Sequence, residues 1–238
     1  MRRLLEVLAV CAALLCSVLP AMAGDRAIFA PLGYSADSRY FAFEEFGAGE
    51  GGLPYSSVYV LDLSSGDLVK GAPFQARAAV DLSDVSLASI RGEAARAAAA
   101  TLKQLGIENP AEYRVLLGDG VSASDGKSLN WSTPDCCMPG TTQGEVSTLS
   151  LATFAMPKTP QCANSIGKPS LGFALSLSGR EIYRDKSLPK SRGCTVDYRL
   201  YAVLAPYQGK GGLVAIVAYY PYGFHGADRR FLAVPLGQ

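Results

Sequence analysis

A single histidine, His225, is the residue on which most acid–base chemistry in this chain would depend. Asp228 follows three residues later, so the pair has the residue types of a catalytic base and its orienting carboxylate. The sequence contains no Gly-x-Ser-x-Gly nucleophile elbow, and Gly223 and Gly226 are typical of a surface turn. We therefore predict no catalytic residue, and a hydrolase that uses His225 and Asp228 is the alternative.

The cysteines are the second group of residues that could be reactive, through disulfide formation, thiol redox chemistry or zinc binding. Four of the six lie beyond the apolar amino-terminal segment: Cys136, Cys137, Cys162 and Cys194. An even number in an exported chain predicts two structural disulfides. Neighbouring cysteines joined to each other close a strained ring, so we expect Cys136 and Cys137 each to bond to one of Cys162 and Cys194. This interpretation is preferred to a thiol redox site, because no Cys-x-x-Cys motif is present. It is also preferred to a zinc site, because an oxidising compartment and spacings of 25 and 32 residues do not suit one.

Aromatic residues crowd a Pro/Gly turn near residue 220. They are Tyr219, Tyr220, Tyr222 and Phe224. Alternation along a strand would bury half of them, and the other half would offer flat, stiff surfaces to a sugar ring or a partner protein. These four residues are the candidate binding residues, and packing in the core is the alternative.

Two groups of charged residues give weaker signals. The acidic group comprises Glu44, Glu45, Glu50, Asp62 and Asp67. No Asp-x-Asp-x-Asp-Gly loop gathers them around a cation, so we interpret them as a solvated face and predict neither a metal nor a cofactor. The basic group comprises Arg180, Arg184, Lys186, Lys190 and Arg192. We interpret it as a solvated loop, with contact to an anionic envelope polymer as the alternative.

The first 23 residues have the pattern of a signal peptide. Arg2 and Arg3 precede an apolar run over residues 7–19, and the small residues Ala21 and Ala23 fit a cleavage site before Gly24. The sequence therefore predicts a signal peptide over residues 1–23 and one secreted β-rich domain over residues 24–238. We expect a periplasmic or secreted protein with no membrane span after cleavage.

The charge balance excludes one class of partner. The chain carries 22 basic and 21 acidic side chains, and removal of the leader would leave 20 of each. No net field remains to attract nucleic acid or an anionic membrane surface.

Hydrophobic periodicity predicts a β-rich α+β fold. Alternation and turn signals indicate a β-meander over residues 33–72, and later strands over residues 113–117, 147–154, 171–177, 181–184, 195–204, 213–220 and 230–234. Helical spacing predicts one long helix over residues 83–106. Residues 118–146 have the composition of a long loop. We expect sandwich-like antiparallel sheets with this helix laid beside them.

Parts of the chain resemble two known families. Residues Ser35, Asp37, Tyr40, Phe43, Tyr59 and Asp62 resemble the strand unit of WD40-like propellers, with a faint second copy at residues 122–127. A partial β-propeller-like fold is thus the alternative architecture, although the repeat does not continue. The segments over residues 33–63 and 192–231 resemble a family of predicted secreted bacterial proteins of unknown function, domain-of-unknown-function family 2259. That resemblance implies export and a shared fold, and it carries no activity.

These observations favour a non-catalytic protein of the cell envelope or the medium. We expect it to bind an unknown envelope component or another protein, because the aromatic turn suits binding and the lone histidine lacks a nucleophile.

Overall fold

The computed structural model describes residues 24–79, 84–118, 124–132, 145–157, 159–209, 211–223 and 226–237. Its strands are β1 (Ile28–Ser35), β2 (Tyr40–Ala48), β3 (Pro54–Asp62), β4 (Asp67–Leu68), β5 (Phe74–Arg77), β6 (Ile107–Asn109), β7 (Ala111–Leu116), β8 (Ser128–Ser132), β9 (Val146–Ala155), β10 (Leu171–Leu177), β11 (Arg180–Arg184), β12 (Thr195–Pro206), β13 (Val214–Gly223), β14 (Gly226–Ala227) and β15 (Arg230–Pro235). Its α-helices are α1 (Leu87–Gln104) and α2 (Pro160–Ile166).

The strands form three antiparallel sheets. The N-terminal sheet has the order β4-β3-β2-β1-β6, with β5 also paired to β3. The side sheet has the order β11-β10-β9-β8. The central sheet has the order β14-β13-β12-β7, with β15 paired to β13. The β-rich α+β fold expected from the sequence is therefore confirmed.

The central sheet lies between the other two. One face of β12 and β13 packs on the side sheet through residues such as Leu200 and Val217. The opposite face packs on the N-terminal sheet through residues such as Leu204 and Ile216. The sheets are therefore stacked in layers, and they do not surround an axis as propeller blades do.

The residues that resemble a propeller motif lock a hairpin. The Ser35 hydroxyl donates to the Asp37 carboxylate over 2.6 Å and accepts from the Tyr40 amide over 2.9 Å. Arg39 bridges to Asp62 on the next strand over 2.7 Å. These contacts order the turn between β1 and β2, which explains the sequence pattern without a propeller.

The predicted helix is confirmed and covers the outer face of the N-terminal sheet. Ser86 caps α1 by accepting from the Ser89 amide over 3.1 Å, and Gly106 leaves the helix with φ +63°. Ala94 and Ala98 lie fully buried against Val58 and Val60 of β3. Small side chains on this face allow the helix backbone to approach the sheet closely.

An ion pair also holds α1 to the sheet. Arg91 binds both carboxylate oxygens of Glu44 on β2 over 2.9 and 2.7 Å, and the Ser56 hydroxyl donates to the same carboxylate over 2.8 Å. The guanidinium carbon of Arg91 also lies 3.8 Å from the centre of the Phe46 ring. Bidentate geometry of this kind gives direction as well as energy to the contact.

Later strands and the second hairpin largely follow the sequence pattern. Ser178 and Gly179 have φ values of +47° and +86° and connect Leu177 to Arg180, which confirms the predicted two-residue turn. The loop predicted over residues 118–146 is wrong in part, because β8 lies within it. Leu129 and Trp131 alternate into the core there, but the five-residue strand was too short to stand out among turn-forming residues.

The disulfide pairing expected from the sequence is wrong. Cys162 of α2 bonds to Cys194, which immediately precedes β12, with a Cα–Cα distance of 5.3 Å. The short helix α2 was not recognised in the sequence, and it is this helix that brings Cys162 to the start of β12. Cys136 and Cys137 lie outside the described residues.

The length and hydropathy of the helices bear on membrane crossing. Within the described part of the chain, neither helix combines the length and the apolar character needed to cross a bilayer. The predicted signal peptide lies outside the described residues, so it stays a prediction.

The Glu44–Arg91 pair yields a stability prediction. Arg91→Met removes the bidentate partner of a carboxylate that is almost fully buried, so the free energy of unfolding should fall by about 2 kcal/mol. Urea unfolding of purified protein measures this change. Arg96→Met, at an exposed position of the same helix, is the control and should change stability by less than about 0.5 kcal/mol. Equal losses in both variants would contradict the assigned role.

The disulfide yields a second prediction. Non-reducing peptide mapping should recover a cross-linked peptide that contains Cys162 and Cys194. Replacing both residues by serine should lower the free energy of unfolding by about 3 to 4 kcal/mol, because the bond closes a loop with a sequence separation of 32 residues. A bond from either cysteine to Cys136 or Cys137 would refute the connectivity.

Candidate functional site

A cleft of about 1080 Å³ opens between the N-terminal sheet and the edge of the central sheet. One wall is β3, which contributes Tyr55, Ser57 and Tyr59. The facing wall is β15, from Arg230 to Pro235, and residues 189–193 close a third side. The cleft has the size of a small-molecule or peptide site, and it combines aromatic surface with a few fixed polar groups.

Glu45 occupies the end of the cleft. Its side chain extends from β2 and accepts a hydrogen bond from the Phe231 amide of β15 over 2.7 Å. Burial raises the pKa of this carboxyl from 4.5 to about 7, although the Phe231 amide and the cations of Arg230 and Arg229 oppose the rise. Glu45 therefore changes its charge near neutral pH, inside the cleft and in contact with an edge strand.

Arg230 fixes the same end of the cleft. Its Nη1 donates to the Tyr55 hydroxyl over 2.7 Å and to the Arg229 carbonyl over 3.1 Å. The Asp25, Glu45 and Asp228 carboxylates lie 3.5, 3.8 and 3.9 Å from its guanidinium. The guanidinium carbon also lies 4.8 Å from the centre of the Tyr55 ring. Several partners thus hold this cation in one position before any ligand arrives.

The third wall is held by a second buried ion pair. Arg192 donates to both oxygens of Asp185, each over 2.8 Å, and to the Tyr183 hydroxyl over 3.0 Å. Asp185 also accepts from the Phe173 amide over 3.0 Å. Residues 189–193 are therefore tied to the side sheet through the contacts of Arg192.

The tyrosines of the cleft remain hydrogen-bond donors. Burial raises the pKa of Tyr55, Tyr59 and Tyr219 well above the usual value for a phenol. Tyr59 stacks on Phe43 with ring centres 4.8 Å apart and planes 9° apart. The rings are therefore fixed by core contacts, and their hydroxyls stay neutral throughout the physiological pH range.

The structure separates the aromatic residues proposed from the sequence. Tyr219 is buried and lines the cleft. Its neighbour Tyr220 is half-buried and lies against Arg199, whose guanidinium carbon is 5.6 Å from the ring centre. Tyr222 is 49% exposed at the hairpin to β14. Phe224 lies outside the described residues, so of the proposed set only Tyr219 is placed in the cleft.

The proposed hydrolase pair is only partly described. His225 lies outside the described residues. Asp228 accepts a hydrogen bond from the Asp25 amide over 2.9 Å and faces Arg230. The described residues also contain no group of three or more His, Cys, Asp or Glu side chains that could hold a metal ion.

The interpretation of the acidic residues as a solvated face is wrong for two of them. Glu44 and Glu45 are 6% and 2% exposed, because α1 covers one face of β2 and the central sheet covers the other. Asp62 and Asp67 lie at the turn after β3, where Asp62 pairs with Arg39 and Asp67 is exposed. Of the basic stretch, Arg192 is also largely buried, through its pair with Asp185.

Sequence reasoning missed the polar end of the cleft. Arg230 and Tyr55 belong to no recognisable sequence motif. Glu45 stands out only as an acidic residue within the apolar run of β2. Two consecutive acids flanked by phenylalanines cannot both face solvent if the strand is covered on both faces. That pattern was the available signal, and it required knowledge of what covers each face.

Comparison with known proteins gives a family and no activity. Residues 42–236 match the family described as predicted secreted protein, DUF2259. No curated protein and no solved structure matches the chain.

The Glu45 geometry predicts a specific pH dependence of stability. Its carboxyl titrates near 4.5 in the unfolded chain and near 7 in the folded one, so the folded state binds more protons between these values. The free energy of unfolding should therefore decrease by about 3 kcal/mol as the pH rises from 4.5 to 7, and then level off. Urea unfolding at a series of pH values measures this decrease.

Glu45→Gln keeps an acceptor for the Phe231 amide and removes the titration. The decrease in the free energy of unfolding between pH 4.5 and 7 should therefore be present in wild type and absent from this variant. Glu93→Gln, at an exposed position of α1, should retain the wild-type profile. Identical profiles for wild type and Glu45→Gln would show that this carboxyl does not titrate in the window.

Proposed function

Because the chain belongs to the DUF2259 family of predicted secreted proteins, we propose that it is an exported binding protein and that the cleft between β3 and β15 holds its ligand. The proposed location is the periplasm or the medium. The ligand is an envelope component or a segment of another protein, and no chemical step is required.

The observation that carries this proposal is the preorganised wall of the cleft. Tyr55, Glu45 and Arg230 are linked by hydrogen bonds and ion pairs, and Tyr59 is stacked on the core. A ligand that enters such a site orders few side chains, so little of the binding energy is lost to conformational entropy. Fixed aromatic rings beside a few fixed polar groups are typical of binding sites.

Several charged side chains in and near the cleft already have partners within the chain, and this supports binding without catalysis. Glu45 already accepts the Phe231 amide, and Arg192 is paired with Asp185. Asp228, the acid of the hydrolase alternative, already accepts the Asp25 amide and faces Arg230. A general base needs access to the proton that it removes, whereas these carboxylates are bound to their own chain.

A capture experiment tests the cleft as the binding site. The purified protein is incubated with the periplasmic and culture fluids of its source, and retained molecules are identified by mass spectrometry. Gln75 is exposed on β5 and lines the cleft, so Gln75→Trp should obstruct the cleft while leaving the core intact. We expect this variant to lose at least nine-tenths of the captured ligand.

Gln104→Trp is the matched control. Gln104 is exposed at the end of α1 and is not among the residues that line the cleft, so the same change there should leave capture unchanged. The melting temperature of both variants should stay within a few degrees of that of wild type. Equal capture by wild type and Gln75→Trp would remove the cleft as the ligand site.

A further inference from the structure

The outer edge of β15 is directed into the cleft. In an antiparallel pair, alternate residues direct their backbone N–H and C=O groups toward the partner strand, and the others direct them away. The Asp228 amide donates to the Pro221 carbonyl, and the Leu236 amide donates to the Leu213 carbonyl. Both carbonyls are on the β13 side. Even-numbered residues of this segment therefore pair with β13, and the backbone groups of Arg229, Phe231, Ala233 and Pro235 point outward.

The first part of this edge is already paired by the chain itself. The Arg229 amide donates to the Asp25 carbonyl over 2.7 Å, and the Ala27 amide donates to the Arg229 carbonyl over 3.2 Å. This contact is a parallel β-bridge between Arg26 and Arg229. The next outward amide, that of Phe231, is taken by Glu45. An extended segment thus pairs with the edge where the edge leaves the cleft.

The following part of the edge is open. Within the part of the chain that the structure describes, the outward amide of Ala233 has no hydrogen-bond acceptor, although Ala233 lines the cleft and is half-buried. Pro235 has no amide hydrogen and therefore ends the donor side of the edge. The open stretch is bounded by Glu45 at one end and by Pro235 at the other. An unpaired strand edge in a cleft is a template for another strand.

We propose that the cleft takes an extended, carboxylate-bearing polypeptide segment of a partner protein, which adds to β15 as a further strand through the backbone of Ala233. This inference rests on the proposed function, because it assigns a ligand class to the same cleft. Strand addition derives affinity from main-chain hydrogen bonds and specificity from alternate side chains. The bridge to residues 25–27 shows that the edge has the geometry to pair with an extended chain.

The charges around the cleft favour an acidic segment. Arg192 and Arg230 are compensated by the acids that hold them. Arg77 of β5 and Lys190 of the third side are exposed, and neither forms an ion pair within the described residues. Asp67 is the exposed acid among the lining residues. The accessible rim is therefore positive, which complements carboxylates on an incoming strand.

A library of random seven-residue peptides is the probe. Selection on the immobilised protein should enrich acidic sequences of high β propensity, and the same selection on Gln75→Trp should not enrich them. Binding of an enriched peptide should slow hydrogen exchange at the Ala233 amide at least tenfold. The amide of Leu232, which points to β13, should exchange as it does in the free protein.

Backbone substitutions separate strand addition from other modes of binding. Ala233→Pro removes the outward donor at an edge position, and it should weaken peptide binding about tenfold. Gln104→Trp, which lies outside the cleft, should bind the peptide as wild type does. If Ala233→Pro lowers the melting temperature, N-methylation of the peptide residue that faces Ala233 gives the same test on the unaltered protein, with the same expected loss.

The outcomes distinguish this inference from the proposed function. If the protein bound the N-methylated and the unmethylated form of an enriched peptide equally well, strand addition would be overturned. A selection that enriched no peptide would overturn it too. Capture of a glycan or small molecule that depends on an open cleft would overturn the polypeptide ligand and leave the proposed function in place. If Gln75→Trp captured as much ligand as wild type, both the proposed function of the cleft and strand addition would be overturned.

Discussion

The burial of both faces of β12 and β13 is the constraint on which the rest of this structure depends. Most antiparallel sheets leave one face to solvent, but residues 202–205 and 214–218 are buried without interruption. Alternate residues supply two separate cores, so each face needs its own cover. The side sheet and the N-terminal sheet provide these covers. A register shift between Leu200 and Ala202 adjusts which residues of β12 face each layer.

The same layering determines how the polar groups are used. Once α1 and the central sheet cover β2 on both sides, Glu44 and Glu45 need partners on opposite faces. Glu44 finds Arg91 and fixes the helix, whereas Glu45 finds the amide of Phe231 and meets the edge of β15. The buried acids therefore join the layers through directional polar contacts in addition to the apolar packing. They also place a polar group at the end of the cleft.

The sequence predicts elements of this fold better than it predicts their assembly. Strands such as β10 and β13 and the helix α1 carry their own periodicity and turn signals, so local chemistry sufficed for them. The disulfide and the cleft depend on residues far apart in the chain, such as Cys162 with Cys194 and Glu45 with Phe231. Alternation indicated that Tyr219 and Tyr220 would face opposite ways, but it did not indicate which face would line a cleft. Residues that meet only through the stacking of sheets leave no pattern in one sequence.

The bridge between residues 25–27 and Arg229 affects the order in which the chain folds. The segment that completes both the bridge and the Glu45 contact is far from its partners in the chain: Arg229 follows Ala27 by 202 residues, and Phe231 follows Glu45 by 186 residues. Partners so distant in the chain pair slowly, because the loop between them must close before the contacts stabilise it. The N-terminal sheet lacks its neighbour at β15 until then. We therefore expect the contacts that join β15 to the N-terminal sheet to be among the last to form when the chain folds.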